Sequence, residues 1–154
     1  MSVLEKHEQW MRRALALADR AENEGEVPIG AVVVRDDQLV GEGWNSVISD
    51  NDPTAHAEII ALRDAARYSG NYRLPGCILY VTLEPCSMCA GALVHARIAH
   101  LVFAAREPRA GVVCSNACAL ESPWYNHKVA WTGDVLGPES AGRLQSFFAA
   151  RRQQ

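Results

Sequence analysis

The feature that most constrains this chain is a pair of short, separated segments, Thr54-Ala55-His56-Ala57-Glu58 and Glu84-Pro85-Cys86-Ser87-Met88-Cys89. One imidazole and two thiolates make three zinc ligands and leave a fourth tetrahedral position for water, the open position that separates catalytic zinc sites from closed structural ones. Cys86 and Cys89 are three apart, so on one helical turn both sulfurs can face the same way. At a helix N-terminus the dipole and the free N–H groups also favour thiolates. His56 likewise opens a helical segment. Any fold of this chain that uses the three residues together must bring two helix starts onto one ion.

Glu58 stands two positions after His56. Two helical positions are about 200° apart, but near a helix start the geometry is loose enough for both side chains to converge. Zinc lowers the pKa of its bound water towards 7, and a carboxylate beside it can take that proton and pass protons to a ring nitrogen and a departing amine. His-x-Glu combined with Pro-Cys-x-x-Cys is the signature of zinc nucleobase deaminases. The plainer readings are a structural zinc with an unidentified fourth ligand, or two core thiols and a surface histidine. Glu58 speaks against a non-catalytic zinc-stabilised binding module, which has no use for a proton shuttle.

Around these segments the pattern alternates. Trp10, Ala14, Leu17, Ala18 and Ala21 recur at helical spacing within residues 5–24, with Gly25 as a stop. Val27 to Val34 reads as a buried strand, Asp36-Asp37 as a turn and Leu39 to Trp44 as the second arm of a hairpin. A polar loop, Asn45 to Pro53, leads to a helix over 55–68, and residues 70–76 connect to a strand over 77–83. A short helix over 86–96 and a strand over 99–104 follow. Residues 105–126 have no period and contain Pro108, Gly111 and Pro123, so a loop of this length is expected to be functional or partly structured. A strand over 128–132 and a helix over 139–152, with Leu144, Phe147 and Phe148 on its apolar side, complete the chain. This order implies a layered α/β domain with a mostly buried sheet.

The 154 residues suit one domain spanning 1–154. No apolar run approaches the roughly 18 residues of a membrane span, and the N-terminus lacks the apolar stretch of a signal peptide, so a cytoplasmic protein without membrane association is expected. Five cysteines, at 77, 86, 89, 114 and 118, do not read as a disulfide framework. Cys77, Cys114 and Cys118 are expected to be small packing residues. Net charge is −3, which alone argues against a nucleic-acid binder. It is unevenly spread: residues 1–84 carry 8 basic and 14 acidic side chains, residues 85–154 carry 7 and 4. The second half could face phosphates, or be a solvated surface.

Beyond the zinc segments, the chain closely resembles the bacterial tRNA-specific adenosine deaminases, which convert the wobble adenosine of a tRNA anticodon to inosine. The resemblance is carried by Glu26-Val27-Pro28-Ile29-Gly30-Ala31-Val32, Gly41-Glu42-Gly43-Trp44-Asn45, Asp52-Pro53-Thr54-Ala55-His56-Ala57-Glu58-Ile59 and Asn71-Tyr72-Arg73-Leu74. It continues through Leu79-Tyr80-Val81-Thr82-Leu83-Glu84-Pro85-Cys86, Met88-Cys89-Ala90-Gly91-Ala92, Asn126-His127 and Phe147-Phe148, covering essentially the whole chain. It implies the cytidine-deaminase-like three-layer α/β/α fold around a five-stranded mixed sheet, a homodimer, zinc on His56, Cys86 and Cys89, and proton transfer by Glu58. It also implies that Asn45 hydrogen-bonds the base, as an amide with donor and acceptor can; from the residues alone, a turn role after a strand is an equal reading. Backbone N–H groups near Cys86 are suited to stabilising a tetrahedral intermediate.

One segment departs from the family pattern. Where these enzymes carry an aspartate that contacts the nucleic acid beside the target base, followed by Ala-Lys-Thr-Gly, this chain has Glu107-Pro108-Arg109-Ala110-Gly111. Glutamate keeps the charge but moves its oxygens by about 1 Å, and Pro108 removes a backbone donor. The expected partner is a tRNA anticodon loop, approached through Glu107, Arg109 and the Phe147-Phe148-Ala149-Ala150-Arg151-Arg152 segment. The altered loop, the acidic net charge and the short basic tail support an alternative on the same fold, deamination of a free purine base such as guanine or a related small heterocycle.

Overall fold

The structure is a computed structural model and describes residues 1–153. Its elements run α1 (Val3–Asn23), β1 (Gly30–Arg35), β2 (Gln38–Trp44), α2 (Ala57–Ser69), β3 (Ile78–Leu83), α3 (Ser87–His95), β4 (His100–Ala105), β5 (Ala130–Thr132) and α4 (Gly137–Arg152), with one 3-10 turn at Ala119–Glu121. The five strands form one sheet in the order β2-β1-β3-β4-β5. β1 pairs antiparallel with both β2 and β3, whereas β3–β4 and β4–β5 are parallel. The expected five-stranded mixed sheet between helical layers is what the chain forms.

Strand alternation builds the layers. Ala31, Val33, Leu79, Val81, Leu101 and Phe103 join Ala57, Ala61 and Ala65 of α2 and Leu93 of α3 in one core. The residues between them, Val32, Val34, Tyr80, Val102 and Ala104, meet Met11, Ala14 and Leu15 of α1 on the opposite face. Successive strand side chains point to opposite faces, so strands covered on both sides read as unbroken apolar runs. α4 lies on the α1 side, where Arg143 grips Asp19 at 2.8 Å and Arg151 donates to the Gly25 carbonyl.

The hairpin turns on Asp36 and Asp37, with φ of 51° and 61°, the two left-handed residues that a two-residue turn of matching twist requires. At the far end of β2 the helix α2 lies directly on the strand. A Cβ on Gly43 would come within 2.6 Å of the Ala61 nitrogen and 2.7 Å of the Ala57 carbonyl oxygen. That close approach sets the end of β2, and so Asn45, against the first turn of α2.

Element ends differ from the sequence expectation. The strand expected over 27–34 starts only at Gly30, because Pro28 has no N–H to pair and the Ile29 N–H closes back on the Val27 carbonyl at 2.9 Å. The β3 strand begins at Ile78 rather than Cys77, and β5 at Ala130 rather than Lys128. Cys77 is buried as expected, but Cys118 is exposed and Cys114 only half-buried. The expectation that all three are small packing residues therefore fails at Cys118, because its loop runs over the surface. Among the described residues no helix is long and apolar enough to cross a membrane.

Candidate active site

Both zinc-ligand segments sit at helix starts, but each in a way that helical spacing alone does not convey. His56 is the N-cap of α2, with extended backbone (φ −73°, ψ 155°). It therefore lies outside the helical geometry that would place it opposite Glu58. Cys86 is likewise the extended N-cap of α3, and Cys89 lies in its first turn. The His56 Nδ1 stands 3.6 Å from the Cys86 sulfur and 3.6 Å from the Cys89 sulfur, and the three donor atoms lie within 4.8 Å of one another. With zinc–nitrogen and zinc–sulfur bonds of about 2.05 and 2.3 Å, a tetrahedral nitrogen–sulfur edge is about 3.6 Å. The triad thus has the donor set and the spacing to hold a zinc ion.

The three donor groups act strongly on one another. A hydrogen bond from Cys89 and the neighbouring His56 draw the Cys86 thiol well below the ordinary thiol range, and Cys89, as the donor, is pushed up. The hydrogen bond to Cys86 in turn raises His56. Glu58, in the first turn of α2, is 4% exposed. Burial raises its carboxyl to about 7, with the Cys86 charge adding to the effect while His56 and Cys89 oppose it. A carboxyl poised near neutrality is suited to accepting and returning a proton.

A cavity of about 690 Å³ opens beside the triad, with His56, Asn45, Val27 and Ile29 among its lining residues. Asn45 is buried; its Nδ2 donates to the Val27 carbonyl at 3.4 Å, while its Oδ1 has no protein partner. The wall opposite comes from Arg106, Glu107, Pro108 and Arg109 and from the α4 residues Leu144, Phe148, Arg151 and Arg152. All seven residues singled out in the sequence are therefore gathered here: His56, Cys86, Cys89 and Glu58 form the cluster, and Asn45, Glu107 and Arg109 line the cavity. One Glu107 oxygen is already engaged, accepting the Arg109 N–H at 2.8 Å. Of the paired phenylalanines, Phe147 is buried and Phe148 is 45% exposed on the cavity, so they divide between core and site.

Two acids that sequence reasoning left without a role turn out to shape the cavity. Glu26, fully buried, accepts the N–H groups of Ile48 and Ser49 and the Ser49 hydroxyl, fixing the loop that follows Asn45. Glu84 gathers backbone N–H groups from residues 107 and 113–115. The available signal was an acid at the edge of a largely apolar run, since a charge there is seldom buried unless paired.

The family model for the zinc-binding region of cytidine and deoxycytidylate deaminases matches residues 4–105. The chain is 50% identical to the tRNA-specific adenosine deaminase of Haemophilus influenzae over 96% of its own length and 86% of that protein's. It superposes with a TM-score of 0.86 on a tRNA:A34 deaminase solved in a study of A-to-I editing at the tRNA wobble position, at 42% identity, covering 88% of this chain and 99% of that one. It also matches the guanine deaminase of Nitrosomonas europaea, with a TM-score of 0.75 at 25% identity, covering 92% and 84%. With the ligand triad, the buried acid and the sheet order in agreement, the chain belongs to the cytidine and deoxycytidylate deaminase family of zinc-dependent hydrolytic enzymes, on the branch of the tRNA-specific adenosine deaminases.

Proposed function

We propose that this enzyme converts adenosine to inosine at the wobble position of a tRNA anticodon, with His56, Cys86 and Cys89 holding zinc, Glu58 moving protons and Asn45 holding the base. Zinc, when bound there, supplies Lewis acidity at an open fourth position. Glu58 takes the proton from the attacking water and gives protons to the purine ring nitrogen and to the leaving amine. The overall reaction adds water at the amine-bearing carbon, forms the carbonyl and releases ammonia. Burial raises the Glu58 carboxyl above the ordinary carboxylate range, which favours its holding a proton between the two transfers. The unpartnered Asn45 Oδ1 is an acceptor for a ring or exocyclic N–H, and an unpaired buried acceptor costs about 1–3 kcal/mol until one arrives.

The observation that carries the choice of substrate is the charge of the cavity wall. On a chain of net charge −3, the cavity is lined by Arg109, Arg151 and Arg152 against the single acid Glu107, while Arg106 beside them is paired to Asp134 at 2.9 and 3.1 Å. A flipped base within a single-stranded loop brings phosphates on both sides, and guanidinium groups suit them. A free purine needs no such wall. We further infer one deaminase domain over residues 1–154, acting in the cytoplasm as a homodimer; exposed Tyr68, Tyr72 and Trp124 offer apolar surface for a second copy. The likeness to guanine deaminase keeps a free purine as the second reading.

The deciding experiment sets the zinc-loaded enzyme against an anticodon stem-loop with a wobble adenosine, beside a panel of free purines and pyrimidines. Ammonia release and base mass are followed in each. Inosine in the stem-loop with the free bases untouched is expected. Turnover of a free base with the stem-loop unedited overturns the tRNA assignment.

A further inference from the structure

The Glu84 carboxylate sits at one end of the cavity wall and closes it like a hook. Its Oε1 accepts the Glu107 N–H at 3.0 Å and the Ser115 hydroxyl; its Oε2 accepts the N–H groups of Val113, Cys114 and Ser115 at 3.0, 2.9 and 2.9 Å. Glu84 is 2% exposed, so these partners stand in for the water that a charge needs. One side chain thus joins the outgoing limb of the segment, at 107, to its returning limb at 113–115.

The rest of the segment closes on itself. The Gly111 N–H donates to the Glu107 carbonyl, and the Asn116 side chain donates to the carbonyls of Pro108 and Gly111. Gly111 lies so close to the hook that a Cβ there would stand 2.5 Å from the Glu84 carboxyl carbon. The Val112 N–H reaches the Pro85 carbonyl at 3.1 Å. The segment that presents Arg106 to Arg109 to the cavity is therefore fastened to Glu84 and Pro85, the two residues directly before the metal-ligand candidate Cys86.

We infer that Glu84 is a positioning residue for substrate specificity: it holds the 106–109 wall in fixed register with the Cys86–Cys89 segment, so that the group that grips the substrate and the centre that transforms it move as one body. A surface loop without regular structure would otherwise sample many conformations. The consequence falls on substrate binding, because Glu84 is neither a member of the ligand triad nor a lining residue of the cavity and acts only through the wall it holds.

The sharpest probe is Glu84→Gln. Its amide nitrogen can sit near Ser115, whose hydroxyl can turn to accept, but the Glu107 N–H is then left without an acceptor. Loosening should start at 107, on the cavity side. For an anticodon stem-loop substrate KM is expected to rise about tenfold with kcat within about threefold. Zinc should stay at one ion per chain, and amide exchange should quicken at 107–109. Ser115→Ala, which removes one hydroxyl donor to the carboxylate and leaves the charge, should show the same pattern at about threefold and keeps the question answerable if the first variant folds poorly. An unchanged KM and exchange rate in both variants overturns the inference. So does zinc loss, which would make Glu84 a support of the metal segment alone. The kinetic arm rests on the tRNA reading; hydrogen exchange needs no substrate, so an enzyme that ignores the stem-loop still reports whether Glu84 fastens the wall.

Discussion

At Asn45 a buried amide oxygen goes without a protein partner, and the Nδ2 makes only a long 3.4 Å contact with the Val27 carbonyl. Removing an unsatisfied acceptor costs little, whereas removing a satisfied donor destabilises. Asn45→Ala should therefore lower stability by no more than about 1 kcal/mol while kcat/KM falls by about 10- to 100-fold, as loss of a ligand hydrogen bond predicts. Parallel melting curves and steady-state kinetics check the pairing; a large drop in midpoint would assign Asn45 to the turn instead. Glu58→Gln should keep zinc at one ion per chain by elemental analysis and lower kcat by about a thousandfold, within the range attributed to general acid–base groups. That seven candidate residues meet around one cavity was legible from spacing and resemblance. What spacing could not convey was why His56 and Glu58 converge, since the objection that they face apart applies only inside a helix and His56 stands just before one in extended backbone. The cap changes the geometry, and caps are set by backbone angles that a string of residues does not contain.

At the scale of elements, the joint between β2 and α2 carries the site. Gly43→Ala would thrust a methyl into the Ala57–Ala61 backbone, an overpacking worth about 1–3 kcal/mol and a thermal midpoint lower by roughly 3–10 °C. Activity should fall further than stability alone explains, because Asn45 and the start of α2 shift together. Glu26 gives the neighbouring loop a dependence on pH. Burial raises its carboxyl, but the N–H and hydroxyl of Ser49 and the N–H of Ile48 outweigh this and hold it below the ordinary 4.5. A carboxylate lowered on folding contributes in full above its unfolded value and loses that contribution as pH falls through the folded one. Wild type should thus out-melt Glu26→Gln at pH 6, with the gap closing below about pH 4.5. Strand and helix order could be read from periodicity, and the hairpin turn from Asp36-Asp37. The strand start at Gly30 could not, since Val27-Pro28-Ile29 is apolar enough for a strand, yet Val27 and Ile29 line the cavity instead.

Across the whole molecule, the ligand triad draws on two helices from one face of the sheet, α2 and α3. An ion bound by all three side chains ties those helix starts together, so chelation should lower the thermal midpoint, and added zinc should restore it in a concentration-dependent way. Arg109→Ala should weaken stem-loop binding and make the affinity less steeply dependent on salt, with binding titrations at several ionic strengths as the check. The layered architecture was legible in the sequence because strands buried on both faces read as unbroken apolar runs. The packing of residues 105–126 was not, because it depends on the buried Glu84 carboxylate, which meets its partners only after folding. Helix α4 lies on the α1 face and is clasped by Arg143 to Asp19 and by Arg151 to Gly25. Its cavity residues come from a different layer than the triad, so reagent and address are written on separate pages of the same molecule. A lineage could rewrite the address, trading one clientele of substrates for another, while the reagent was inherited untouched.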